Sequence, residues 1–169
     1  MAELKLAPEL GSEMVESVTM LPPVQRHITG HNSGGKSIYL DSPPVRYWPV
    51  PNAGGTGRSY AVGSVPAKLA ADIDLKSYLQ ESGPTSSTGQ NIVPYGTGAN
   101  LLVVDLIPGA KSQLHRTVSI DFSICVMGEV LHELDSGEVV RLLPGVCLPS
   151  LRVGLLSGCP NCFSVNRTI

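Results

Sequence analysis

The hydrophobic pattern along the second half of the chain predicts a series of short β-strands. From residue 101 onward, apolar stretches of six to nine residues read LLVVDLI, SIDFSICVM, EVLHEL and EVVRLL, separated by PGAKS, Gly128 and DSG. Runs of this length, rich in Val and Ile and divided by turn residues, are typical of antiparallel sheets. LDSGEV in particular predicts a tight hairpin. The pattern therefore indicates an antiparallel sandwich or barrel.

The first half of the chain has a weaker pattern. Residues 3–20 predict a loose N-terminal helix that Pro22 and Pro23 end. VQRHITG and KSIYL predict two strands joined by a hairpin at HNSGG. Residues 42–58 are too rich in proline to form a regular element, and a strand is predicted next, at SYAVGSV. Residues 66–80 have apolar residues at near-helical spacing and predict a helix. The composition of residues 81–100 predicts a loop.

One predicted strand carries the polar residues of interest. In HRTVSIDFSICVMGEV, residues 115–130, strand alternation places six residues on one face: His115, Thr117, Ser119, Asp121, Ser123 and Cys125. Val118, Ile120, Phe122, Ile124 and Val126 share the opposite face. Alternation by itself favours a strand with an apolar core face and a wet face, and leaves open whether the polar residues face water or line a site.

Composition and charge argue against a nucleic-acid-binding, membrane-spanning or secreted protein. The chain has 169 residues, which suits one domain, and its net charge of -2 indicates neither a nucleic-acid surface nor an acidic tail. No apolar run approaches the roughly 18 residues of a membrane helix, and the acidic N-terminus lacks the apolar core of a secretory signal. We therefore expect a cytoplasmic protein whose four cysteines are reduced thiols, with a small-molecule or protein partner.

The spacing of glycines around this strand resembles a known motif. Gly109, His115, Thr117, Asp121 and Gly128 follow the spacing of the first cupin motif, whose general form is G-x5-H-x-H-x3,4-E-x6-G. Together with RHITGH at 26–31 and LLPG at 142–145, the chain resembles small single-domain cupins, in particular fungal cupin-domain oxidoreductases of polyketide biosynthetic clusters. The resemblance implies a cupin-like antiparallel β-barrel, and it divides the chain into an N-terminal extension at 1–21, a cupin domain at 22–145 and an atypical tail at 146–169.

The resemblance also implies a site. His115 stands at the first histidine of the motif and Asp121 at its acid, so both are candidate catalytic residues and candidate ligands of a divalent metal such as iron, manganese or zinc. Thr117 replaces the second histidine and is a poor ligand, so we expect Thr117 and Ser119 to be pocket residues of a degenerate site.

The second cupin motif is disrupted. After Pro144 and Gly145 the chain continues as VCLPSLRVGLLSGCPNCFS, and no histidine follows His132, which we expect to be a packed residue. Residues 146–164 have the character of an unrelated insertion, in which case the closing strands of the barrel would be missing and a strand edge would be left for a partner. Cupins commonly pair through their sheets, so a homodimer is expected.

These features predict a cupin-type oxidoreductase that acts on a polyketide or aromatic intermediate of secondary metabolism. His115 would act as ligand or general base and Asp121 as second ligand or orienting group. Two alternatives stay open: a metal-free cupin isomerase, cyclase or decarboxylase, and a non-catalytic cupin that binds a ligand or dimerises.

Overall fold

The architecture comes from a computed structural model that describes residues 11–90, 98–115, 119–150, 155–158 and 163–168. Antiparallel strands make up most of it, as the hydrophobic pattern predicts. The strands are β1 Ile28–His31, β2 Ser37–Leu40, β3 Tyr47–Val50, β4 Gly54–Val62, β5 Ala99–Leu106, β6 Asp121–Met127, β7 Val130–Glu133, β8 Val139–Leu142, β9 Cys147–Ser150, β10 Leu155–Gly158 and β11 Phe163–Thr168. The all-β prediction is therefore confirmed.

The described strands form three sheets rather than one closed barrel. A six-stranded sheet has the order β3-β4-β5-β11-β6-β9, a three-stranded sheet has the order β10-β7-β8, and β1 pairs with β2 alone. Every pair is antiparallel. Among the described residues no ladder joins one sheet to another, so the predicted barrel closure is not present in that part of the chain.

The C-terminal segment contributes strands to both larger sheets. β11 lies between β5 and β6, with Thr168 in register with Asn100 on one side and Asp121 on the other. β10 pairs with β7 through Leu156 and His132. The edge that the sequence led us to expect between the motif strand and the rest of the sheet is therefore filled by the segment predicted to be an atypical tail.

The N-terminal helix was predicted wrongly within the described residues. Residues 11–20 run as an irregular strap across β3, where Val15 pairs with Tyr47 and the Gly11 amide donates to the Pro49 carbonyl at 2.7 Å. Val18 packs so closely above Gly55 that a Cβ on that glycine would lie 2.7 Å from it. The strap satisfies its backbone groups against the sheet instead of within a helix. Residues 1–10 lie outside the described part of the chain.

One α-helix is present in the described residues. It is α1, Ile73–Leu79, preceded by a 3-10 turn at Ala70–Asp72. With seven residues it is far shorter than a bilayer crossing requires, and nothing longer and more apolar is found among the described residues. The helical prediction for 66–80 is confirmed only for its second half.

Residues 42–58 contain strand structure, so the prediction that they form no regular element is wrong. Tyr47–Val50 forms β3 although it contains Pro49, and β4 begins at Gly54. Proline is tolerated because β3 is the edge strand of its sheet, where one side needs no ladder donor.

Buried polar contacts anchor α1 and the loop after it to β4. The fully buried Tyr78 donates from its hydroxyl to the Arg58 carbonyl at 2.9 Å, and its ring lies 4.7 Å from that of Tyr60. The Arg58 guanidinium donates to the carbonyls of Pro84 and Ser86 at 3.1 and 2.6 Å. These contacts hold residues 78–89 against the six-stranded sheet.

Candidate functional site

The two larger sheets enclose an apolar cluster at the turn between β6 and β7. Its buried members come from both sheets: Leu106 and Cys125 belong to the six-stranded sheet, and Val130 and Leu142 to the three-stranded one. Gly128 makes the turn with a φ of 75°, a conformation in which glycine is not strained. This cluster shows which face of each strand is turned to the interior.

The interior face of β6 is its polar face. Ser123 is 5% exposed and Cys125 is fully buried, whereas Val126 is 53% exposed and Ile120, just before the strand, is 45% exposed. The alternation of apolar and polar residues favoured the opposite orientation, so that interpretation is wrong. Cys125 and Ser123 are small, and the cluster residues Val130 and Leu142 pack against Cys125 on the inward side.

Asp121 lies at the start of β6 on this inward face. It is half-buried, and the Ser119 hydroxyl donates to its Oδ1 at 2.9 Å. Residues 119 and 120 are not part of the strand, so β6 begins two residues later than the predicted run SIDFSICVM and six residues later than the stretch 115–130. The short Ser119 hydrogen bond to a residue two positions away is typical of side chains that compete with ladder pairing.

His115 lies before β6 and is exposed to solvent. Its ring Nδ1 lies 2.9 Å from the Gln113 carbonyl oxygen, which fixes the ring locally. The prediction that a single strand carries both His115 and Asp121 is wrong, because the chain bends at Ser119. Thr117 lies outside the described residues, so its predicted place in a pocket stays a prediction.

The resemblance implies a divalent metal at His115 and Asp121, and the described residues do not fit one. Within them, no group of three or more His, Cys, Asp or Glu side chains is close enough to share an ion. Catalytic metals in proteins usually take three protein ligands, and one imidazole with one carboxylate falls short of that set.

His132 is the buried histidine that the sequence did not assign to the site. It is 7% exposed, and burial lowers the pKa of its imidazole, so the ring is neutral near pH 7. On β7 it follows Val130 on the inward side, as strand alternation requires. Strand alternation in the sequence already places His132 on the same face as Val130. That placement fits a packed histidine as well as it fits a site residue.

A cavity of about 330 Å³ lies elsewhere, between α1 and the end of β4. Its polar lining includes Lys68, Asp74, Ser77 and Thr85. None of the predicted site residues contributes to it, so it does not bear on the cupin motif.

Comparison with known proteins gives several curated relatives. A cupin-domain-containing oxidoreductase of Neurospora crassa is 32% identical over 120 residues, which cover 70% of this chain and 57% of that protein. Phomopsin biosynthesis cluster protein D of Diaporthe leptostromiformis is 35% identical over 130 residues, covering 75% of this chain and 65% of that protein. No protein-family model matches the chain.

Among solved structures, a putative ethanolamine utilization protein Q from Salmonella typhimurium aligns with 87% of this chain and 96% of its own. It is 12% identical, and its TM-score of 0.43 is too low to bear on the fold or on function.

The two curated relatives described above extend beyond the matched region, since the chain spans 57% and 65% of their lengths. Their names include cupin-domain oxidoreductases and proteins of biosynthetic clusters, which agrees with the resemblance seen in the first cupin motif. The chain is homologous to the fungal cupin-domain oxidoreductases and cluster proteins of secondary-metabolite biosynthesis.

Proposed function

We propose that this chain is a cupin-domain oxidoreductase that acts on a small polyketide or aromatic intermediate of a biosynthetic cluster. One structural observation carries the proposal: β6 turns Ser123 and Asp121 toward the interior although Phe122, Ile124 and Val126 offer an apolar face. This face presents a hydroxyl and a carboxylate to the interior, and the hydrogen bond from Ser119 orients the Asp121 carboxylate; a few positioned polar groups beside an apolar wall are what a small-molecule site requires. The relatives' names supply the class of reaction.

The site residues have distinct roles in this proposal. Asp121, oriented by the Ser119 hydroxyl, accepts a proton or a hydrogen bond from the substrate at the inner face of β6. His115, exposed just before the strand, exchanges protons with solvent, and Thr117 contributes a pocket hydroxyl. These side chains move protons and not electrons, so the electron acceptor or donor is supplied by another molecule.

A metal-free isomerase, cyclase or decarboxylase is the second candidate. It is favoured by the donor set, because one serine, one aspartate and one histidine are suited to proton transfer and the described residues contain no three-ligand group.

Deleting the gene in its host and profiling metabolites by mass spectrometry separates these functions. If the chain is an oxidoreductase, the accumulated compound differs from the lost product by hydrogen or oxygen atoms. An isomerase or cyclase leaves the formula unchanged, a decarboxylase changes it by carbon dioxide, and a non-catalytic protein leaves the profile intact.

Complementation of the deletion strain then tests the residues. Asp121→Asn and His115→Gln are expected to fail to restore the product, whereas His31→Gln, at an exposed histidine remote in sequence from the motif, restores it. Restoration by Asp121→Asn to the wild-type level would contradict the proposed site.

We also propose that the chain is cytoplasmic.

We further propose that it forms a homodimer through the edge of the three-stranded sheet. Among the described residues β8 pairs on one side only, with β7, and Val139 on it is 53% exposed. An apolar, half-paired edge is suited to pairing with a second copy. Light scattering should give twice the chain mass for wild type and one chain mass for Val139→Lys; a monomeric wild type would contradict this.

A further inference from the structure

The interior between the two larger sheets is closed at one end and polar further along. The apolar cluster that contains Cys125 and Val130 fills the end at the β6–β7 turn. β6 and β7 both lead away from that turn, so the next inward positions are Ser123 on one strand and His132 on the other. At a rise of about 3.3 Å per residue, each lies about 7 Å beyond the cluster residue on its own strand.

Ser123 and His132 are both almost completely buried, at 5% and 7% exposure. Asp121 follows one step further along β6 and is half-buried. Strand parity therefore places a hydroxyl, an imidazole and a carboxylate along the same interior, beyond a wall of aliphatic side chains.

The His132 ring has no hydrogen-bond partner among the described residues. A neutral imidazole carries one donor and one acceptor nitrogen. Neither His132 nitrogen is among the described side-chain atoms that are both fully buried and without a partner, so the ring is not sealed from accessible space. A neutral imidazole keeps one acceptor nitrogen, which a ligand hydroxyl can use as a hydrogen-bond partner.

Two positions of β8 on the face that carries His132 differ in exposure. Val140 on β8 is in register with His132 and so lies on the same face of the sheet, yet it is 48% exposed. Leu142, two residues along and in register with Val130, is fully buried. Within the described part of the chain, this face is therefore buried at Leu142, near the turn, and exposed at Val140, beside His132.

We propose that His132 contacts the substrate, accepting a hydrogen bond from a hydroxyl of an aromatic ring or enol that enters beside Val140 and rests against the apolar cluster. This inference rests on the proposed function for the identity of the natural substrate. The imidazole nitrogen matches the hydroxyl, and the aliphatic wall of Val104, Leu106 and Leu142 matches the ring.

The test uses catechol, a small hydroxylated aromatic ring, and the full chain labelled with ¹⁵N-histidine. The chain has four histidines, so single substitutions assign the ring signals. Adding catechol is expected to shift the His132 ring signals and leave those of the exposed His31 in place. His132 signals that do not respond to saturating catechol would overturn the proposal.

Two variants sharpen the result. His132→Gln is expected to weaken catechol binding about tenfold, the effect of losing one good hydrogen bond. His31→Gln is the matched control and should bind as wild type does. Equal binding by His132→Gln, with an unchanged melting temperature, would overturn the proposal, and the wild-type spectra decide the matter if that variant does not fold. Because catechol replaces the natural substrate, failure of the gene-deletion experiment is distinguished from failure here.

Discussion

The hydroxyl of Tyr78 donates to the backbone carbonyl of Arg58 at 2.9 Å, across twenty residues of sequence. Arg58 lies where the pairing of β4 with β5 shifts register, between Arg58 and Tyr60. A shift of this kind interrupts the regular ladder, and the tyrosine on α1 supplies a donor there.

Tyr78→Phe should destabilise the fold by about 1–2 kcal/mol, because it leaves a buried carbonyl without this donor while keeping the ring. Urea denaturation monitored by circular dichroism measures the free energy of unfolding. Tyr39→Phe is the control, since Tyr39 is 77% exposed and its hydroxyl should contribute little. Equal stability of the two variants would show that the Tyr78 hydroxyl does not anchor α1.

Gly54→Ala should be among the most damaging single substitutions in the sheet. Gly54 has a φ of 126°, and an added Cβ would lie 1.9 Å from the Asp105 carbonyl oxygen, so β4 and β5 would have to separate. We expect a loss of more than about 3 kcal/mol, or an insoluble protein.

Gly35→Ala is the matched control for that substitution. Gly35 also has a positive φ, of 75°, but no atom lies within 4 Å of its added Cβ. Its cost should stay near the 1–2 kcal/mol of left-handed backbone. A Gly54 variant no less stable than the Gly35 variant would contradict the close approach of the strands.

Asp105 should make stability depend on pH. Burial raises the pKa of its carboxyl to about 6, partly offset by hydrogen bonds from Tyr47 and Thr19, and its Oδ1 has no partner among the described residues. The unfolded carboxyl has a pKa of 3.8. Between these values the folded chain holds more protons than the unfolded chain, so stability falls as pH rises from about 4 to about 6 and then levels off.

Asp105→Asn should remove that fall, which amounts to roughly 3 kcal/mol for a shift of about two pH units. The measurement is the free energy of unfolding of both proteins in urea at several pH values from 4.5 to 7.5. As pH rises, the free energy of unfolding of the variant should increase relative to that of the wild type. Parallel profiles would show that Asp105 titrates normally.

The two cysteines on β6 and β9 should differ in reactivity. Cys125 is fully buried and Cys147 is exposed. Iodoacetamide should alkylate Cys147 in the native protein and Cys125 only after unfolding in urea, as peptide mass spectrometry can measure. Rapid native alkylation of Cys125 would contradict the packing of the β6 inner face.

The sequence predicted the kinds of elements better than their arrangement. The positions of β5 to β8 were predicted closely from runs of β-branched residues separated by glycine turns. The predicted hairpin forms at residues 134–138, where the Gly137 amide donates to the Leu134 carbonyl. Residues 11–20 were predicted as helix because their local composition allows it. In the structure, the backbone groups of this segment pair with the outer edge of β3 instead, and a local sequence pattern cannot predict a contact with a distant strand.

The candidate site shows the same division. The spacing of the first cupin motif singled out Asp121, and together with RHITGH and LLPG it carried the resemblance to cupins, because such motifs are local properties of the chain. Which face of β6 is buried was decided by the packing of Val130 and Leu142 against Cys125. The insertion of β11 between β5 and β6 depends on residues 36 to 68 positions away in the sequence. Alternation along a strand defines two faces but cannot say which one another sheet will cover. The sequence predicted a packed His132, which its 7% exposure confirms, and only the tertiary structure placed it on the same interior as Ser123 and Asp121.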